Sequence, residues 1–351
     1  MTKSSERISP SQSIFAKRIS WMQLVRAVIL VLAIVHVAMQ IFVITPTLFA
    51  RTDQNRDVIA YWNAAQRAHN HQPLYTKYPD YGPDSLPQNY DYAPPFAAIL
   101  SPLGALSFVT FARIWLIITL VAFWIFAWGL AKLSGDGSLA QTLIWGLIAS
   151  VFPGTYLAIA LGQIDPVLWM LFAWGLAGIA RPTLWGLAAI VKPFYIWPLL
   201  AAERHWRALI PAGVIAVALI LLGGFVCGWE SYIIWVRDIL PTLTQGNFKA
   251  GNVSLSFAVI RLARFLGWNY SGGPLPAPAH LWLTAASVGA PLLAWRLLRR
   301  FSAQIKCAGI IVASVLFAPV CWTCYLPLTL PLVAVVFHSK IQAGKVENYL
   351  R

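Results

Sequence analysis

Charge is what this chain has least of. Only 11% of its 351 residues are Asp, Glu, Lys or Arg, against about 25% in soluble domains. With 59% of the chain hydrophobic, that shortage points away from a water-solvated globule and toward a polytopic membrane protein. Acidic side chains are scarcer still, twelve against 26 Lys and Arg, which leaves a net charge of +14. Metal-ligand patterns are missing: there is no His-Glu-x-x-His and no paired Asp-x-Asp, so metal is not expected to be required. No internal repeat or low-complexity segment is present, so a channel assembled from tandem units is not indicated. Cysteine is limited to Cys227, Cys307, Cys321 and Cys324. Cys321-x-x-Cys324 has the spacing of a redox pair, but a quinone-linked membrane thiol oxidase needs a second pair in an outer loop. The two remaining cysteines lie in or beside apolar runs and do not supply one.

The basic residues do not form the contiguous stripe of a nucleic-acid face. They gather beside apolar runs: Lys3, Arg7, Lys17, Arg18 and Arg26; Arg204 and Arg207; Arg296, Arg299, Arg300 and Lys306; Lys340, Lys345 and Arg351. Cytoplasmic loops have this character under the positive-inside rule. Seventeen Trp, twelve Tyr and eighteen Phe suit aromatic belts at the two interfaces. Residues 51–92 differ, holding five of the twelve acids, Asp53, Asp57, Asp80, Asp84 and Asp91. That segment is expected to face outward.

Apolar runs of spanning character lie at 24–46, 111–131, 139–160, 165–180, 206–228, 279–297, 305–322 and 325–338. Run 24–46 is longer than a signal-peptide core and reads as an uncleaved first helix. Stretches 93–108 and 183–202 are apolar but interrupted by Pro94, Pro95 and Pro102, and by Lys192-Pro193 and Pro198. Each is a kinked span or a re-entrant hairpin. The expected fold is therefore all-α and polytopic, with about 8–11 transmembrane helices. Its segments are a cytoplasmic stretch 1–23, one membrane domain 24–338 and a cytoplasmic tail 339–351. Two long outer loops, 51–92 and 229–277, complete it. The parity between 93 and 203 depends on whether each broken stretch crosses.

The outer loops concentrate the polar side chains. Residues 53–68 have the pattern of a helix, with Asp53 a good N-cap. Asp57, Tyr61 and Ala64 fall on one face, while Ile59 and Trp62 are placed to grip the bundle or the membrane. Asp57 in the first turn has two readings, a charge favoured by the helix dipole or a reacting carboxylate.

The ordered motifs Asp57-x3-Tyr61-Trp62-x-Ala64-Ala65, Pro73-Leu74-Tyr75 and Tyr92-x-Pro94-Pro95 with Pro102-Leu103 resemble glycosyltransferase family 87. So do Gly162-Gln163-Ile164-Asp165, Gly186-Leu187-Ala188 with Lys192-Pro193, and Gly251-Asn252-Val253-Ser254-Leu255 with Arg261. The likeness runs from about residue 50 to 335. That family comprises membrane glycosyltransferases of the GT-C fold that use polyprenyl-phosphate sugars, and α-1,2-mannosyltransferases are among its members. One departure is present. The family often carries Ser-Pro-x-x-Trp-x-His-His before its last helices, where this chain has Ala318-Pro319-Val320-Cys321-Trp322-Thr323-Cys324-Tyr325. A role for histidine there does not transfer.

The resemblance implies transfer of a hexose, mannose by family, from a polyprenyl-phosphate donor to a lipid-linked or envelope glycan on the extracytoplasmic face of a bacterial-type plasma membrane. Partners would be the bilayer, the lipid-linked donor and a glycan or glycolipid acceptor, with no nucleic acid and no cofactor. It assigns Asp57 the part of general base toward the acceptor hydroxyl. Tyr61, Tyr92, Gln163, Asp165, Lys192, Asn252, Ser254, Arg261, Trp322 and Tyr325 become substrate-binding candidates. Lys192, a cation inside an apolar segment, is the first choice to steady the outgoing phosphate; a lysine reaching for the interface from a helix end is the alternative. Arg261 and Arg264 are further candidates. A transporter or lipid-linked-sugar flippase is the rival reading, because intramembrane Asp165, Lys192 and broken helices also mark a transport pathway.

Overall fold

A computed structural model describes residues 21–50, 56–76, 80–81, 87–178, 183–201, 205–244, 248, 251–268 and 275–349. These are almost wholly helical, as the apolar runs demand. Asp53, Asp84, Arg204 and the basic residues before position 21 lie outside the described residues, so the capping role expected of Asp53 does too. A two-residue antiparallel pair, Asp80–Tyr81 with Pro87–Gln88, is the sheet among the described residues.

Three described helical runs are long and apolar enough to cross a membrane: Ala27–Ala50, Phe108–Ser134 and Leu209–Cys227. The first is α1 (Trp21–Met39) continued through a π-turn into α2 (Thr45–Ala50). It is peripheral, exposing Val28, Val31, Leu32, Ile34 and Val35 as a lipid-facing helix should. The second, α5 (Phe108–Ser134), is the central post. Ser107 caps it by accepting from the Thr110 N–H at 3.4 Å. Its 27 residues rise about 40 Å. Its neighbours are α6 (Leu139–Val151) and α8 (Asp165–Leu176). Gly129 permits the close approach to α8, since a Cβ there would touch that of Ala173.

The remaining apolar segments give shorter helices. Run 139–160 is not one helix but two, α6 and α7 (Thr155–Ala160), separated at Phe152-Pro153-Gly154. Gly154 is left-handed at φ +86, and a side chain there would collide with the Thr323 carbonyl. Both proline-interrupted stretches are broken, as expected. Residues 93–108 contain α4 (Pro94–Leu100) and a 3-10 turn at Ser101–Leu103. Residues 183–202 contain α9 (Leu184–Val191), a 3-10 turn at Pro193–Tyr195 and α10 (Ile196–Ala201). Pro193 bars its predecessor from the helical region, so Lys192 is extended at φ −134, ψ 108 and α9 stops there. Then come α11 (His205–Cys227), α12 (Glu230–Ile234), a π-turn, and α13 (Leu240–Thr244). Last are α14 (Leu255–Phe265), α15 (Ala277–Leu297), α16 (Ala303–Leu316), a 3-10 segment Thr323–Thr329, and α17 (Leu330–Tyr349). The described residues of segment 229–277, read as an outer loop, are thus largely helical.

The polar first segment does not dangle. Helix α3 (Arg56–His69) buries Val58, Ile59, Tyr61, Ala64 and Ala65 in the main core. Trp62 donates its indole N–H to the Leu106 carbonyl at 3.0 Å and meets Phe108 edge to face. Gly104 lets α3 lie directly on the turn after α4, for a Cβ there would strike the Ala65 carbonyl.

Candidate active site

The site is built around one short segment, residues 161–165, between α7 and α8. Helix α7 ends in a Schellman turn: Gly162 is left-handed at φ +69, its N–H bonds to the Ile159 carbonyl and the Gln163 N–H to that of Ala158. Glycine is needed here twice over, because a Cβ would also run into Val58 of α3. The Trp115 indole donates to the Gly162 carbonyl at 2.7 Å, and the Leu161 carbonyl accepts from the Asp57 N–H at 3.2 Å. Segment and helix are therefore docked backbone to backbone.

That docking sets the side chains. Gln163 donates its amide N–H to Asp57 Oδ2. Asp57 stays partly exposed, whereas Tyr61, one turn on, is buried. The Tyr61 and Tyr92 hydroxyls are 3.0 Å apart, and the Tyr61 ring is edge-on to Tyr92, Phe96 and Trp115. Burial pushes both phenols well up, and the carboxylates of Asp57 and Asp165 push them further. Both therefore stay neutral hydroxyls, one donating to the other. Tyr75 donates to the Tyr92 carbonyl at 2.7 Å, and Trp235 to that of Asp91 at 3.1 Å. The helices after α11 thus lean on the strand of chain that leads back into α4.

Two residues past Gln163, Asp165 opens α8 beneath this cluster. Pro166 follows it in the first turn, where its missing N–H costs nothing. The extended backbone forced by Pro193 brings in Lys192, whose ammonium lies 2.7 Å from both Asp165 oxygens. Their side chains are 7% and 0% exposed. The same ammonium sits 4.0 Å from the centre of the Tyr325 ring, a cation–π placement. Gly186 closes α9 onto α11 against Ala212.

Other candidates lie where residues 252–254 meet 318–322. Asn252 pairs with Trp322 as an isolated bridge, and its side-chain oxygen accepts from the N–H groups of Cys321 at 2.9 Å and Ser254 at 3.2 Å. Ser254 caps α14 and donates to the Ala318 carbonyl at 2.5 Å. Asn252 and Ser254 thus act as staples between two stretches of chain. Arg261 stands on α14 with its guanidinium 5.6 Å from the centre of the Phe257 ring, which belongs to a small apolar cluster with Ile260 and Leu283. Among the described residues no set of three or more His, Cys, Asp or Glu is arranged to hold a metal ion.

Sequence reasoning named Asp165 and Lys192 one at a time and did not pair them. Two lone ionisable residues in apolar segments were the available signal, since each needs a partner at membrane depth. It also passed over Trp115, which locks Gly162.

The arrangement is an acid held by an amide, flanked by buried phenols, above a neutralised ion pair. A profile of glycosyltransferase family 87 matches residues 90–324. The chain belongs to glycosyltransferase family 87. It is accordingly a membrane glycosyltransferase. Neither the curated proteins nor the solved structures contain a significant match. The family 87 match takes in Tyr92, Gln163, Asp165, Lys192, Asn252, Ser254, Arg261, Trp322 and Cys324. It begins after Asp57 and Tyr61 and ends just before Tyr325.

Proposed function

We propose that this family 87 protein moves a hexose, mannose in the first instance, from a polyprenyl-phosphate donor to a hydroxyl of a glycan or glycolipid acceptor at the extracytoplasmic membrane surface. Asp57 is the general base. The observation that carries the reading is the Gln163 amide on Asp57 Oδ2, delivered by a turn whose backbone also binds α3. A neutral donor on one carboxylate oxygen fixes the orientation of the group and itself brings no positive charge. The base draws the proton from the acceptor oxygen as that oxygen attacks the anomeric carbon. The sugar–phosphate bond breaks with its electrons on the phosphate, and inversion is the simplest outcome. Tyr61 and Tyr92, kept neutral, supply hydroxyl donors beside the reacting carboxylate. Lys192 is matched by Asp165, so its net contribution to the departing phosphate is small. Arg261 is the cation to consider next.

The test uses the full chain in lipid with synthetic polyprenyl-phosphate sugars, reading release of polyprenyl phosphate and the mass of the product. Release should vanish in Asp57→Asn. In Gln163→Ala it should fall about 10- to 100-fold, the worth of one hydrogen bond to a charged group, with an unchanged melting temperature. Movement of the lipid-linked sugar across the bilayer without bond cleavage would make the protein a flippase instead.

A further inference from the structure

We propose that α14 is an interfacial helix, lying in the plane of the bilayer surface with its outer face in lipid and Arg261 and Arg264 at the level of the lipid phosphates. Its 11 residues extend about 16 Å, half the roughly 30 Å of a hydrocarbon core, so it is no span. One face is spent on the protein: Ser256, Phe257 and Ile260 are buried, and Phe257 and Ile260 pack with Leu283 of α15. The opposite face is a row of exposed apolar side chains, Leu255, Val259, Leu262 and Leu266 at helical spacing, with Phe265 beside them at 85% exposure. In water such a row is an aggregation liability; in lipid it is an anchor. The arginines stand off that row. Arg261 is half-buried over the Phe257 ring and Arg264 lies 4.9 Å over Phe248; at helical spacing Arg261 falls about a third of a turn from the lipid-seeking stripe and Arg264 on the face opposite it.

The depth follows from α15. The Trp282 indole, near the start of that helix and partly exposed, donates to the Ser256 carbonyl of α14 at 2.9 Å. A partly exposed tryptophan with its N–H satisfied suits the membrane interface. Helix α15 is not among the three runs that composition alone marks as spans, but its 21 residues rise about 31 Å, as long as a hydrocarbon core is thick, and the other end carries Arg296, with Arg299 and Arg300 just beyond. Along its length α15 exposes Leu281, Leu292, Leu293 and Trp295. The two helices therefore meet one solvent, with α14 at the membrane surface opposite the Arg296–Arg300 cluster. Helix α14 would take this position whatever reaction the protein performs.

All four native cysteines are buried, so a single introduced cysteine takes a spin label selectively. Full-length Val259→Cys, Leu262→Cys, Leu266→Cys and Arg264→Cys variants in nanodiscs of phosphatidylcholine and phosphatidylglycerol are compared by power-saturation spectroscopy. Oxygen should relax the labels at 259, 262 and 266 several-fold more than a water-soluble nickel chelate does, and the order should reverse at 264. Equal chelate access at all four positions would place α14 in water and overturn the proposal. Dipolar broadening that disappears on dilution with unlabelled protein would show that a second copy of the chain covers this face, and would overturn it too.

Discussion

Replacing Lys192 by Met tests the buried pair directly. The substitution keeps the length of the side chain and removes its charge, leaving the Asp165 carboxylate, 0% exposed, without a counter-ion. Breaking a desolvated pair from one side costs about 3–5 kcal/mol, a factor of roughly a hundred to a few thousand in the folded ratio. Asp165→Asn is not the mirror image. The ammonium it strands still has the Tyr325 ring 4.0 Å away, and a desolvated cation–π contact is worth up to about 2 kcal/mol. The expected loss is therefore about 1–3 kcal/mol. At about 2 °C per kcal/mol for a chain of this size, Lys192→Met should melt about 6–10 °C below the parent and Asp165→Asn about 2–6 °C below. The double variant should return to within about 2 °C, because a neutral pair carries no desolvation penalty. The assay is the fraction of monodisperse protein remaining on gel filtration after heating. If Lys192→Met melts with the parent, or the double variant falls by the sum of the singles, the two groups are not a coupled, desolvated pair.

Gly162→Ala forces a side chain into a left-handed position and against Val58; about 1–3 kcal/mol should be lost, read as a lower melting temperature. Val58→Ala on that background should restore part of the loss, since it relieves the collision but not the backbone strain. The Cys321→Ser/Cys324→Ser variant should release polyprenyl phosphate at the parent rate, because neither thiol takes part in the proposed transfer and serine preserves the side-chain volume closely. Loss of function there, with Asp57→Ala harmless, would favour thiol redox chemistry.

Helices were legible wherever a run was apolar from end to end, as with α5, or where a proline announced the break, as at Lys192-Pro193. The helix expected over 53–68 is α3, Arg56–His69 in the described residues, and of the two partners its spacing allowed, membrane or bundle, Trp62 takes the bundle. The division of 139–160 was written in Pro153-Gly154, but uniform hydrophobicity masked it. The pairings of the site were harder. Gln163 meets Asp57 across 106 positions, and Lys192 meets Asp165 across 27. No local periodicity encodes such contacts; they arise from a Schellman turn and an extended pre-proline residue that aim side chains across the bundle. Arg261 was grouped with Asp57 by motif order alone, and α14 holds it against a different apolar cluster.

The seat of α3 has a consequence for how the protein is made. The turn that receives Asp57 leaves the ribosome about 100 residues later, roughly 5–20 s at ordinary translation speeds. Until then Val58 has no Gly162 to rest on, and the helix must wait beside a half-built bundle. Its polar residues, Asn63, Gln66, Arg67 and His69 among them, suit it to wait in water rather than among the apolar segments being inserted around it.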